Sequence, residues 1–193
     1  MKTTREQLLA ATAQLLENQG YYGTGLNEIV RVSGAPKGVI YYYFPEGKEQ
    51  LTAEAIAQSA ELLAAHMQQE LGEEPGPAAA IDALCRFMAR LANEVEAGSG
   101  RVGAPVAAVA LETAGASERL AAACADAYAR LQAVVARRLE VGGWDPAQAA
   151  ALATFIVATL EGGIVLARAQ RSAEPIRACI EPMRTLLMTR VTG

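Results

Sequence analysis

No stretch of this chain is as restrictive as residues 24–51, TGLNEIVRVSGAPKGVIYYYFPEGKEQL. Leu26, Ile29, Val30 and Ser33 recur at helical spacing on one face, and Gly34 interrupts the pattern. Pro36 follows where a first helical residue belongs, because its missing N–H has no partner to lose there. A second helix is expected from about Pro36 to Phe44, with a further helix opening soon after it. Ile40, Tyr43 and Phe44 give this second helix an apolar stripe toward the preceding one. Lys37, Gly38, Tyr41 and Tyr42 share its other side.

A positive charge, a glycine that permits close backbone approach and two phenols suit an element laid against phosphates and base edges. Helix-turn-helix modules put such a helix into the major groove. The competing reading is a small helical hairpin whose tyrosines only finish a core. The order of the parts bears on that choice. Thr24, Ile29, Val30, Gly34, Lys37, Gly38, Ile40, Tyr41, Tyr43, Phe44, Lys48 and Leu51, preceded by Gly20 and Tyr21, resemble the TetR family of bacterial transcriptional regulators. The FPEGKEQL segment is similar to the multidrug-responsive LmrA-type branch of that family. The match covers about the first quarter of the chain. Gly25 stands where the family often has Ser or Thr, and Tyr42 where it often has His.

The resemblance implies an all-α fold, with a three-helix DNA-binding domain at 1–46 and a larger helical ligand-sensing and dimerisation domain at 47–193. It implies double-stranded operator DNA, a small-molecule effector and a second copy of the chain as partners. Contacts to DNA fall to Thr24, Lys37, Gly38, Tyr41, Tyr42 and Lys48. Thr24 also reads as a helix N-cap, and both roles can hold. Lys48 stands near the start of the fourth helix, where its charge opposes the helix dipole unless an anion lies close, which favours phosphate contact.

Composition agrees with helices throughout: alanine is abundant, aromatics are 5% of the 193 residues, and strand-like alternation is almost absent. The net charge is −4 and the pI near 5.2, which argues against coating nucleic acid by bulk charge. Residues 1–50 carry five basic and five acidic side chains, so the whole deficit lies beyond them. A neutral reading head on an acidic body suits a selective binder with few phosphate contacts and a modest salt dependence. Cys85, Cys124 and Cys179 are dispersed and odd in number, which argues against a disulfide or zinc scaffold and fits a reducing cytoplasm. His66, the sole histidine, reads as a helix-surface residue. No metal or cofactor is expected, and no catalytic set of Ser, His and Asp or phosphate loop supports an enzyme. Arg5, Glu6 and Gln7 interrupt the start, so a signal-peptide core is not expected. The longest uncharged run, Pro146 to Leu160, has 15 residues and stops at Glu161, short of a membrane span.

In chain order, Thr3 with Glu6 and Thr4 with Gln7 have capping-box spacing for a first helix that Gly20 should end. Those hydroxyls suit capping and phosphate contact alike. A long helix is expected from Gly47 to about Leu71, then a break at GEEPGP, then a helix from about Ala78 to Ala97 ended by Gly98-Ser99-Gly100. A short helix opened by Pro105 should lie within 102–112, and Ser117 should cap another that runs to about Val141. Asp145 and Pro146 should open a helix to about Ala169, apolar on more than one side, and a last helix should span Glu174 to Val191.

Two functional readings of the body follow from the resemblance. The ligand pocket is expected among Met67, Phe87, Met88, Leu91, Val106, Val109, Glu112, Tyr128, Leu131 and Phe155, with Trp144 a weaker candidate. Apolar walls suit a lipophilic or aromatic ligand, and Glu112 suits a cationic or hydroxylated one, although residues of this kind equally make a core. An intermolecular four-helix bundle is expected through Phe155, Val157, Ile164, Val165, Ile180, Met183 and Leu187, against an intramolecular core as the alternative. The leading expectation is a ligand-released repressor that binds a two-fold operator as a homodimer; the alternative is an all-helical carrier. Activation would use the same contacts and differ only in where the operator lies.

Overall fold

The computed structural model describes residues 3–36, 38–97, 106–113 and 115–189. Those residues form nine α-helices and no strand: α1 (Thr4–Gly23), α2 (Leu26–Ser33), α3 (Val39–Tyr43), α4 (Lys48–Leu71), α5 (Pro77–Glu96), α6 (Val106–Thr113), α7 (Glu118–Gly142), α8 (Pro146–Gln170) and α9 (Glu174–Thr189). Local chemistry explains most of the boundaries. Thr3 and Glu6 exchange side-chain and backbone bonds in a capping box. Ser117 Oγ accepts from the Leu120 N–H at 3.1 Å. Asp145 accepts from the N–H groups of Ala147 and Gln148 ahead of Pro146. Three expected ends, Pro105, the Gly98-Ser99-Gly100 stop and Val191, lie outside the described residues.

The chain divides into two compact units, residues 1–63 with 104–129 and residues 64–103 with 130–193. The expected boundary at 46/47 falls inside the first of these units. The first compact unit is larger, because α6 and the first half of α7 share core side chains with α1 and α4. Leu8, Leu9, Leu15, Ile29, Ile40, Phe44 and Leu51 form one buried cluster of that unit. Leu16, Ile56, Val106, Val109, Leu120 and Cys124 form another. α1 therefore feeds both clusters, Leu8 to Leu15 the first, and Leu16 with Tyr21 the second. The expected stripe of α3 is present: Ile40 and Phe44 are buried and Tyr43 packs against them.

Within the second unit, α9 packs against both α5 and α8. Ile81, Leu84, Cys85, Met88 and Leu91 of α5 are buried, as their spacing predicts. Gly163 of α8 lies close to Ile176 of α9; a methyl at that glycine would stand 3.4 Å from Ile176 Cγ1. Arg184 pairs with Asp82 at 2.6 Å, and Arg177 pairs with Glu96. The 25-residue α8 is long and apolar enough to cross a membrane by length and composition alone, and a third of its most apolar stretch is buried. That corrects the span estimate from the uncharged run, because one carboxylate at Glu161 does not end the helix. Gly162-Gly163-Ile164-Val165-Leu166 carries it on.

Candidate nucleic-acid interface

The reading head begins with a left-handed glycine. Gly34 (φ +68°) closes α2, and Gly38 (φ +90°) immediately precedes α3, so this helix is only Val39–Tyr43, shorter than the Pro36–Phe44 expectation. Pro36 lies in the turn, because a left-handed residue two positions later cannot belong to the same helix. Lys37 lies outside the described residues. The faces of α3 separate as their spacing requires. Ile40 is 3% exposed, while Tyr41 is 61% and Tyr42 79% exposed. The Tyr42 ring meets Tyr43 edge to face at 4.9 Å, so one phenol is oriented by a half-buried neighbour. An added Cβ at Gly38 would meet nothing within 4 Å, leaving the backbone approachable there.

Thr24 and Lys48 are placed differently from their expected roles. Thr24 is buried, and its hydroxyl donates to the Gly20 carbonyl at 2.7 Å. Gly25 is the N-cap of α2, and Thr24 closes α1 instead. Its side chain thus supports the α1–α2 junction and presents no hydroxyl to solvent. Lys48 is half-buried; its ammonium donates to the Tyr21 carbonyl at 2.7 Å and lies 4.0 Å from the centre of the Tyr21 ring. Burial pushes this amine below the ordinary lysine range, and the Glu112 carboxylate opposes the shift. One donor of Lys48 is therefore committed to its own chain.

Glu112 supplies the other half of this junction. α1 leaves helical geometry at Gly20 (φ +72°), and Glu112 Oε2 accepts from the Tyr22 N–H at 2.9 Å. The positive φ favours glycine there, and a Cβ on residue 20 would stand 1.9 Å from Glu112 Oε1, so the carboxylate would have to shift. The α6 carboxylate thus braces the exit of α1.

The remaining candidates sort by burial. Met67, Phe87, Met88, Leu91 and Leu131 are buried in the second unit. Val106 and Val109 belong to the second cluster of the first unit, with Tyr128 packed against it. The candidates therefore divide between the two units. Trp144 is buried in the α7–α8 turn, where Gly142 leaves room for its ring. Of the expected interface residues, Phe155 (46% exposed) and Val165 (53%) face outward and Ile180 is half-buried. Val157, Ile164, Met183 and Leu187 are buried within one chain, so they have no surface to offer a second copy. The helical period explains the exchange: positions three and four from an outward residue stay outward, which brings in Ala151, Ala158, Gly162, Leu166 and Ala169. His66 is exposed, with Nε2 3.6 Å from Glu70. The described residues hold no cluster of metal-binding side chains.

A short helical pair, seated through Ile29 and Ile40 with α3 turned outward, and braced by α1, defines a helix-turn-helix module of the kind that reads DNA. Residues 8–55 match the family described as bacterial regulatory proteins, tetR family, and residues 77–181 match the C-terminal domain of LmrA/YxaF-like transcriptional regulators. The HTH-type transcriptional regulator YxaF of Bacillus subtilis (strain 168) is 35% identical over 95% of this chain and 95% of its own. The HTH-type transcriptional regulator LmrA of the same organism is 37% identical over 92% and 94%. The chain belongs to the TetR family of transcriptional regulators, and within it to the group with an LmrA/YxaF-like C-terminal domain. Among solved structures, reduced NemR of E. coli superposes with a TM-score of 0.80 at 23% identity, covering 95% of this chain and 97% of that one, a likeness of fold. A TetR regulator from Chloroflexus aurantiacus gives 0.73 at 27% identity, over 98% and 94%.

Proposed function

We propose that this regulator binds operator DNA as a homodimer, acts as a repressor and is released by a small effector. The reading head is α3, with Gly38, Tyr41 and Tyr42 facing the major groove and Lys37 beside them. The observation that carries this is the exposure of two adjacent phenols on a helix whose opposite face is sealed, since large aromatic side chains usually bury most of their surface. Hydroxyls can donate to phosphate oxygens or to base edges, so such a face loses nothing when a duplex replaces water. A repressing role is supported by the likeness to NemR, a transcriptional repressor of E. coli that is 46% identical over 41 residues, 21% of this chain.

A two-fold operator needs two heads. The outward stripe of α8, Ala151, Phe155, Ala158, Gly162, Val165 and Leu166, is apolar along its length and suits the same stripe of a second copy. Small residues at 151, 158 and 162 permit close helix approach there. Covered in this way, α8 has no need of lipid, and the protein works where the chromosome lies, in the cytoplasm. The division between compact units cuts through α4 and α7, so both helices contribute to each unit. An effector bound in the second unit can act on the heads through them, provided it prefers the geometry that cannot bind.

The test is a gel-shift titration of the full chain on DNA flanking its gene. A sequence-specific shift that resists competitor DNA is expected, and its absence on every flanking segment overturns the reading.

A further inference from the structure

The end of α7 carries a group that the DNA-binding role does not use. Arg138 is 2% exposed, and its Nε, Nη1 and Nη2 have no hydrogen-bond partner among the described residues. An isolated buried guanidinium is among the least favourable groups a fold can hold. It lines a cleft of about 170 Å³ between the last turns of α4 and α7. Leu71, Val134 and Val141 supply apolar wall, Gln68 and Arg137 polar edges. The Gly76 N–H donates to the Val141 carbonyl at 3.5 Å, which ties the loop after α4 to the end of α7. Two acids are nearby. Glu73 lines the cleft and Glu74 attracts the guanidinium electrostatically, yet neither bonds to it, and Arg86 repels it. Burial lowers the affinity of Arg138 for its proton, but the group stays charged at any physiological pH.

A planar fork of donors beside hydrocarbon has one natural complement. We propose that this cleft binds a small organic carboxylate with an apolar body, the carboxylate seated on the Arg138 fork and the body along Leu71, Val134 and Val141. Arginine and carboxylate match in two parallel charge-assisted bonds. The volume lies below that of drug-sized pockets, so the body is of the order of a single aromatic ring or a short alkyl chain. As an effector site this rests on the effector-released reading above; as a binding site it does not. It also differs in charge from the ligand that Glu112 suggested: Glu112 accepts from the Tyr22 amide, whereas the Arg138 guanidinium has no hydrogen-bond partner among the described residues.

The test uses the full chain with benzoate as probe, followed by titration calorimetry. Benzoate should bind at one site per chain, and Arg138→Met should weaken it about ten- to a hundredfold, the range for a bond to a charged group. The variant should fold at least as well, since it removes an unpaired buried charge. Should it not fold, Ala133→Trp, which plugs the cleft from its exposed lip, should abolish binding. Benzamide should bind at least tenfold more weakly than benzoate. No benzoate binding, or equal binding by wild type and both variants, overturns the site. Sulfate binding as tight as benzoate overturns the apolar-acid assignment. A saturated complex that still shifts operator DNA with unchanged affinity overturns the effector role, whereas no shift by the unliganded protein indicts the DNA-binding reading instead.

Discussion

Several helices of this regulator leave large side chains in water, and two of them, α3 and α8, do so in groups of opposite chemistry. On α3 the exposed groups are Tyr41 and Tyr42, each ending in a hydroxyl. On α8 they are Phe155, Val165 and Leu166, hydrocarbon throughout. Phenols stay satisfied in water and can exchange it for phosphates or base edges. A stripe of hydrocarbon can only exchange water for more hydrocarbon. The same property, exposure, thus points to DNA in one unit and to another protein surface in the other.

The comparison breaks most visibly at Leu166. Leu166→Glu sets an unpaired charge in the proposed chain–chain contact, a change worth about 3–5 kcal/mol at a buried site. Sedimentation should find monomers, and operator affinity should fall by at least about a hundredfold. An unchanged dimer would assign the stripe of α8 to some other partner. Next come the phenols. Tyr42→Ala should weaken operator binding about tenfold, near 1–2 kcal/mol, with the melting temperature held, because the ring is 79% exposed. Its salt dependence should match wild type, whereas Lys37→Ala should reduce the slope by about one.

The brace under the head should respond through stability. Gly20→Ala forces a side chain into a left-handed conformation against the Glu112 carboxylate, and about 1–3 kcal/mol should be lost in chemical denaturation. Combining it with Glu112→Ala should return only the steric part. The smallest effect sharpens the comparison most. Gly162 faces open space within one chain, so Gly162→Ala in a Leu166→Glu background should gain up to about 1 kcal/mol of helix stability. In the dimer the added methyl meets the partner helix, and association should weaken several-fold. A gain in both backgrounds would show that the helices do not approach closely there.

Much of this was written locally. The capping box at Thr3, the Asp145-Pro146 start and the Gly34 stop depend on neighbours a few residues apart, and the structure repeats them. The face pattern of α3 follows from a 3.6-residue period anchored by Ile40 and Phe44. The length of α3 was less legible, because Gly38 can take helical or left-handed backbone at similar cost and the spacing of apolar residues does not select one. Thr24 shows the same limit. A threonine before Leu26 is as good a cap for the helix ahead as for the one behind, and the carbonyl of Gly20 decided between them.

By itself, then, the sequence determined that the chain is helical, where most helices begin, and which small helix turns phenols outward, since period, caps and glycines act over a few residues. Tertiary structure decided how charges far apart in the chain are used: Glu112 on the Tyr22 amide, Lys48 on the Tyr21 carbonyl, and Arg138 buried with no hydrogen-bond partner among the described residues. It also decided which of the apolar residues of α8 and α9 face inward. Those outcomes depend on what packs alongside, and a one-dimensional pattern records only that a residue is apolar or charged, not which neighbour will meet it.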